Sequence, residues 1–291
     1  MAAPAEPEKK RASSLTLRII SAAVLIPIVV VAVYLGGLPW NALVWVFGTQ
    51  MIAEWCRISS RASVGQDSRL SNAERGFERA VPIGLVSVGL LLFGLHGPVW
   101  LSWWTIFGIA LLMTALFMLN RNRARAPWFV MGMVYVAVPC AAIMWLRAEP
   151  AVGLQQIFWI VALVIAADTG AYVAGRSIGG PKLAPRISPN KTWAGLGGAV
   201  VSAAIVGAIA ASILGRPSIV PLMAVSAGLA IVEQAGDLAE SAFKRHFGVK
   251  DASNIIPGHG GALDRVDGLI AVAAAVAGLN WWIGSSVLTW L

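Results

Sequence analysis

The chain has 291 residues, of which 58% are hydrophobic and only 12% charged, and its mean hydropathy is +0.75. Soluble domains are typically about 45–50% apolar, and a water-soluble fold has no interior large enough to hide this excess, which leaves a polytopic membrane protein. The net charge of +8 fits basic loops facing anionic lipid and can also attract anionic substrates, whereas a nucleic-acid binder needs a basic soluble face that the sequence lacks.

Residues 1–18 are expected to form a cytoplasmic tail, disordered through about Ser14 because Ala, Pro, Glu and Lys dominate it. Lys9, Lys10, Arg11 and Arg18 precede the first apolar run, Ile19 to Gly37. That run exceeds the core of a signal peptide, about 7–15 residues, and Leu38-Pro39-Trp40 offers no small-residue cleavage site, so it reads as an uncleaved span. Further runs follow at 40–55, 80–95, 98–119, 128–146, 154–173, 193–214, 218–235 and 268–290. They predict an all-α polytopic membrane protein of about nine transmembrane helices, with 19–291 as one integral-membrane domain.

Loop charge sets the expected orientation. Arg57 to Arg79, Arg121 to Arg125, Arg176 to Lys191 and the stretch from Asp237 to Asp267 are rich in charge and alternate with short, charge-poor loops. The N-terminus and every basic loop are therefore expected in the cytoplasm, and the C-terminus outside. Trp40, Trp55, Trp100, Trp128, Trp145, Trp193 and Trp290 stand at run ends, as interfacial belts do. Cys56 and Cys140 lie in or beside apolar runs with no CxxC or Cys/His spacing, so they read as small core residues.

Asp168 closes the sixth run, where an acid must face protein or water rather than lipid. Thr169, Tyr172 and Arg176 follow at helical spacing, and Ser188-Pro-Asn-Lys191-Thr192 is expected to open the next helix. Hydroxyls, a lysine and a helix N-terminus together make an anion site, against the plainer reading of a capped turn with a snorkelling Lys191.

The stretch from Asp237 to Asp267 concentrates charge in a chain that has little. Its first part continues an apolar run, so Glu233, Asp237, Ser241 and Lys244 share one helix face. Pro257-Gly-His-Gly-Gly261 breaks that helix, because Pro lacks a donor and Gly permits φ > 0. Asp264 and Asp267 then lie three apart at the start of the last helix, where carboxylates are favoured. Carboxylates suit Mg²⁺ and fixed cations suit phosphate oxygens, which suggests metal-assisted chemistry of phosphates at a membrane surface. The plainer reading is a salt-bridged cytoplasmic loop.

Ser241-x-Phe-Lys244-Arg245, Lys250-Asp251-x-Ser253, Ile256-Pro257-x-His259-Gly260-Gly261 and Asp264-Arg265-Val266-Asp267 resemble the signature of the phosphatidate cytidylyltransferase (CDP-diacylglycerol synthase) family. Asp168-Thr-Gly-Ala-Tyr172, Ser188-Pro-x-Lys191-Thr192 and Gln234-Ala-Gly-Asp237 extend the resemblance over roughly 167–268, the expected catalytic region. Earlier in the chain it is limited to hydropathy and Glu54-Trp55. Ala262 replaces a larger aliphatic residue, and Ala194 stands where the family often has Glu, so no role of that glutamate is carried over.

The resemblance implies transfer of a cytidylyl group from CTP to phosphatidic acid, giving CDP-diacylglycerol and pyrophosphate in phospholipid biosynthesis. It implies Mg²⁺, leaves open a second, monovalent cation, and suggests a homodimer in a bacterial inner membrane with its site on the cytoplasmic face. On this expectation Asp237 and Asp264 are the principal metal ligands, with Asp267 and Asp168 near them. Lys244, Arg245, Lys250 and Arg265 hold CTP phosphates, Asp251 orients Lys250 or Arg265, and His259 bonds a phosphate or carboxylate. Ser188, Lys191, Thr192 and Ser241 contact substrate. Glu54, near the cytoplasmic end of its span, can touch the site, but the plainer reading is a snorkelling or Arg57-paired acid. The rival classes are another CTP-using or alcohol-transferring membrane enzyme, and an ion-coupled transporter with Asp168 and Asp237 at broken helices.

Overall fold

The computed structural model describes residues 8–60, 72–96, 108, 112, 126–253, 255 and 260–290. In chain order these form α1 (Glu8–Leu35), α2 (Gly37–Ser59), α3 (Asn72–His96), α4 (Ala126–Ala148) and α5 (Gly153–Ser177). A hairpin follows, β1 (Lys182–Ala184) and β2 (Ser188–Thr192), and then α6 (Trp193–Ile213), α7 (Val220–His246), α8 (Leu263–Ile283) and the short α9 (Val287–Trp290). Six of the helices, α3 to α8, are long and apolar enough to cross a membrane. Each expected apolar run except 98–119 falls on a described helix; that run lies almost wholly outside the described residues. α1 already begins at Glu8, within the stretch expected to lack structure.

α6 shows why this is a membrane fold. Gly195, Ala199, Ala203, Gly207 and Ala211 are buried at a spacing of four, while Val201, Ile205, Ile209 and Ile213 on another face are exposed. A soluble helix buries its large side chains; here the small ones face protein and the large ones face lipid. A Cβ at Gly170 on α5 would lie 2.5 Å from the Gly198 carbonyl, and one at Gly207 would lie 2.5 Å from the Leu222 carbonyl on α7. Only glycine allows backbones to approach this closely, and these contacts hold α5, α6 and α7 as one layer.

The all-helix expectation needs one correction. Ser188–Thr192 does not open a helix but forms β2, antiparallel to β1, with Lys182 opposite Thr192 and Ala184 opposite Ser188. Pro189 lacks an amide proton and biases the residue before it toward extended backbone. The helix waits for Thr192, which is extended (φ −125°, ψ 158°) and accepts from the Gly195 amide at 3.0 Å as the N-cap of α6.

Hydrogen bonds identify two ends of the bundle. At one end the Arg147 guanidinium donates to the Val33 and Tyr34 carbonyls at 2.6 and 2.9 Å, closing the C-terminus of α1 where Gly36 turns the chain with φ 64°. Gln156 and Ser286 meet there as well, between α5 and the residues just before α9. The other end gathers the C-termini of α2, α5 and α7, the N-termini of α4 and α8, and the hairpin. Trp55 near the end of α2 donates to the Trp128 carbonyl at 2.8 Å and stacks on Phe243 of α7 with ring centroids 3.6 Å apart. Cys56 and Cys140 are buried and unbridged.

Candidate active site

The polar residues singled out in the sequence collect at the second end, around two lysines. Lys191, in β2, reaches across to α7 and lies 2.7 Å from Asp237 Oδ2. Its ammonium also donates to Gln234 Oε1 at 2.9 Å, and Gln234 Nε2 donates to Glu233 Oε2 at 2.7 Å. Asp168 of α5 lies within electrostatic reach of the Glu233 carboxyl. Ser241, one turn beyond Asp237, donates to Asp237 Oδ1 at 3.2 Å. The four-residue spacing of a helix thus converts a sequence pattern into one polar face.

Glycine brings α8 against that face. A Cβ at Gly236 would lie 3.1 Å from the Asp267 carbonyl, and one at Gly268 would lie 2.8 Å from Glu233 Oε1. Asp267 therefore sits beside the crossing of α7 and α8, within electrostatic reach of Asp237, Asp168 and Lys244. Its own Oδ1 accepts from the Gly268 amide at 2.9 Å.

The second centre is Lys244, buried near the end of α7. Its ammonium lies 2.5 Å from Glu240 Oε2 and 2.7 Å from Asp264 Oδ1. Asp264 also accepts backbone amides, with Oδ2 at 3.0 Å from Ala252 N and 3.1 Å from Gly261 N. Asp264 is thus engaged with a lysine and with the chain before α8, whereas Asp237 is engaged with Lys191 and lies near Asp267.

The remaining expected residues divide. Arg245 is exposed and donates to the Val249 carbonyl at 3.0 Å and, longer, to the Ile187 carbonyl at 3.4 Å, tying the end of α7 to the hairpin. Lys250, Asp251 and Arg265 are exposed near the Lys244 centre in sequence. Ser188 is half-buried in β2, and Thr192 is buried with its hydroxyl oxygen capping α6. His259 lies outside the described residues.

Among the described residues no three His, Cys, Asp or Glu side chains converge as a ready-made metal cage. Mg²⁺ does not require one, since it usually keeps several waters and bridges one or two carboxylates to phosphates. The neighbouring hard oxygens of Asp237 and Asp267 fit that habit. Asp264, with its oxygens turned to Lys244 and two amides, fits it less directly.

Glu54 corrects the sequence reading outright. It neither snorkels nor pairs with Arg57 but is completely buried. It accepts from Ser253 Oγ, Ala262 N and Leu263 N at 2.6, 3.0 and 2.8 Å. The sequence likewise assigns no role to Glu233, Gln234 and Glu240, although each stands within the polar face of α7. The available signal was an acid inside an apolar run, which must find donors within the protein.

The cytidylyltransferase family model matches residues 16–281 of the chain. The phosphatidate cytidylyltransferase of Brucella suis biovar 1 is 37% identical over 264 residues, covering 90% of this chain and 92% of that protein. The phosphatidate cytidylyltransferase of Rickettsia typhi is 32% identical over 207 residues, covering 67% of this chain and 90% of its own length. That of Bacillus subtilis is 35% identical over 170 residues, covering 57% and 63%.

Proposed function

The chain belongs to the cytidylyltransferase family, and we infer that it moves the cytidylyl group of CTP onto phosphatidic acid, releasing pyrophosphate and leaving CDP-diacylglycerol in the membrane. It is a nucleotidyltransferase of phospholipid biosynthesis. A phosphatidate oxygen attacks the α-phosphorus of CTP, the bond from that phosphorus to the bridging oxygen of the β-phosphate breaks, and pyrophosphate carries the electron pair away. The attacking monoester is already anionic, so no dedicated general base is required. The work lies in gathering anions and stabilising the charge that moves between them.

The observation that carries this reading is the meeting of Lys191 with Asp237 beside Asp267, a cation and two acids from separate segments at one end of the bundle. Asp237 and Asp267 would hold Mg²⁺, with Asp264 and Asp168 at its margin, and a second, monovalent cation would stand close by. When bound, the divalent ion supplies charge stabilisation for the α-phosphoryl group and the leaving pyrophosphate. Lys191 and Ser188 would bind one substrate phosphate, with Thr192 and Ser241 shaping its pocket. Lys244 would steady the site from below, while Arg245, Lys250 and Arg265 meet the nucleotide phosphates from the exposed side. Asp251 would orient Lys250 or Arg265, and His259 would bond a phosphate or a carboxylate.

The topology that accompanies this chemistry has about nine spans, with the N-terminus and the site facing the cytoplasm and the C-terminus outside. The protein would work as a homodimer in a bacterial inner membrane. The test is purified protein in detergent with labelled CTP, phosphatidic acid and Mg²⁺. Lipid-linked cytidine with one pyrophosphate per turnover is expected. Release of CDP would instead identify a CTP-dependent lipid kinase, and CMP an alcohol phosphotransferase.

A further inference from the structure

Glu54 stands on α2, far in sequence from α8, yet its carboxylate closes the start of that helix. Helix α8 lacks a cap of its own: its N-cap residue, Ala262, has helical backbone angles (φ −65°, ψ −40°) and no side-chain hydrogen bond. The amides that a helix start leaves without partners must end somewhere, and those of Ala262 and Leu263 end on Glu54 Oε1 and Oε2. A negative group at this position is also favoured by the helix dipole.

The same carboxylate accepts from Ser253 Oγ, and Gln50 one turn back on α2 donates to its Oε1 at 3.0 Å. Asp264 takes the interleaved set, the amides of Ala252 and Gly261. Two carboxylates thus divide between them the residues on either side of the stretch from Ser253 to Ala262. Gly261 occupies the gap: a Cβ there would lie 2.8 Å from Glu54 Oε2 and 3.0 Å from Asp264 Oδ2. α2 is itself anchored, because Trp55 beside Glu54 bonds the Trp128 carbonyl and stacks on Phe243, the residue before Lys244.

We propose that Glu54 is a positioning residue for the transfer reaction: capping α8 from another helix, it fixes where Asp264 and Asp267 stand relative to Lys244 and Asp237. It touches no substrate. The proposal rests on the functional reading of those four residues given above.

The test is the full chain with Glu54→Gln, assayed in detergent for kcat and KM and by hydrogen exchange. Glutamine keeps one acceptor oxygen but turns an NH₂ toward a backbone N–H that needs an acceptor. Losing a charge-assisted bond of this kind supports a fall in kcat of about tenfold to a hundredfold. KM for CTP and phosphatidic acid stays within about twofold, because the phosphate-binding cations are untouched. Amides 261–264 exchange at least about tenfold faster while those of α4 exchange as before, since the opening is local. Glu54→Asp, which keeps the charge on a shorter arm, recovers part of kcat.

Native kcat in Glu54→Gln, native exchange at 261–264, or a kcat loss matched by faster exchange throughout the bundle each overturns the proposal. Should Glu54→Gln not fold, Gln50→Ala removes one donor to the same carboxylate. A smaller kcat loss with local exchange at 261–264 is then expected, and native values of both overturn the idea. Failure of the functional reading looks different: the unaltered protein would make no CDP-diacylglycerol, while the exchange contrast at 261–264 would remain.

Discussion

Lys191 and Lys244 are both lysines held by aspartates at the same end of the bundle, but their surroundings differ in kind. Lys191 and Asp237 keep 16% and 29% of their side-chain surface exposed. Lys244 keeps 11% against 10% for Asp264 and none for Glu240. One ammonium answers a half-open acid and an amide; the other is shared between two buried acids. The open pair can exchange its partner for a phosphate without stranding a charge. The closed triad cannot, because removing its cation leaves two carboxylates in a poorly solvated pocket. Lys191 and Asp237 are therefore where substrate chemistry belongs, and Lys244 is where the geometry of α7 and α8 is held.

The largest effect that would break this contrast lies at the open centre. Asp237→Asn keeps size and one acceptor but loses the charge that faces Lys191 and neighbours Asp267. Mg²⁺-dependent cytidylyl transfer is expected to fall by about a thousandfold or more, with extraction and melting of the protein unchanged. Near-native turnover in this variant would remove Asp237 from the metal assignment.

Next comes the closed centre. Lys244→Ala leaves Glu240 and Asp264 without their shared cation and is expected to destabilise the fold by about 3–5 kcal/mol. The measurement is the loss of folded protein on heating in detergent. Adding Glu240→Gln to Lys244→Ala removes a stranded charge along with the lysine, so the double variant is expected to recover much of that loss. A single variant as stable as the native protein would show that the triad is not structural.

Lys191→Ala sharpens the comparison from the other side. Its ion pair is partly solvated, so its stability cost is expected to stay below about 1 kcal/mol, while turnover falls about a hundredfold. A Lys191 variant that melts early, or a Lys244 variant that folds well and merely turns over slowly, would reverse the roles given to the two lysines.

The parts of this site legible in the sequence are those set by local spacing. Hydropathy locates the described helices, and the four-residue period on α7 puts Glu233, Asp237, Ser241 and Lys244 on one face. The hairpin is not legible because four polar residues and one proline carry little periodicity, and because the capping threonine reads as a helix opening rather than the end of a strand. Glu54 was missed for another reason. Its backbone partners stand more than two hundred residues away (|i−j| of 208 and 209), and nothing near residue 54 announces that α8 begins without a cap. Glu240 lay in plain view, but its importance depends on Lys244 turning inward, which is a matter of packing.

The smallest expected effect concerns Arg245, which lies on the exposed rim of the closed centre. It donates to the carbonyls of Val249 and Ile187, neutral acceptors that a phosphate can outcompete, since an anion adds direct charge attraction and a bidentate fit to the guanidinium fork. Removing it strands no acid among the described residues, so Arg245→Ala leaves stability near native. If the guanidinium meets the nucleotide, the loss appears in binding: KM for CTP rises about threefold to tenfold with kcat unchanged, the pattern of an interaction equal in ground and transition states. Salt separates this from a tie between α7 and the hairpin. An exposed cation acts through a field screened within about 10 Å at 0.1 M ionic strength. The native KM for CTP is therefore expected to climb with salt more steeply than that of the variant. Parallel salt curves would assign Arg245 to the hairpin alone and leave the exposed rim to Lys250 and Arg265.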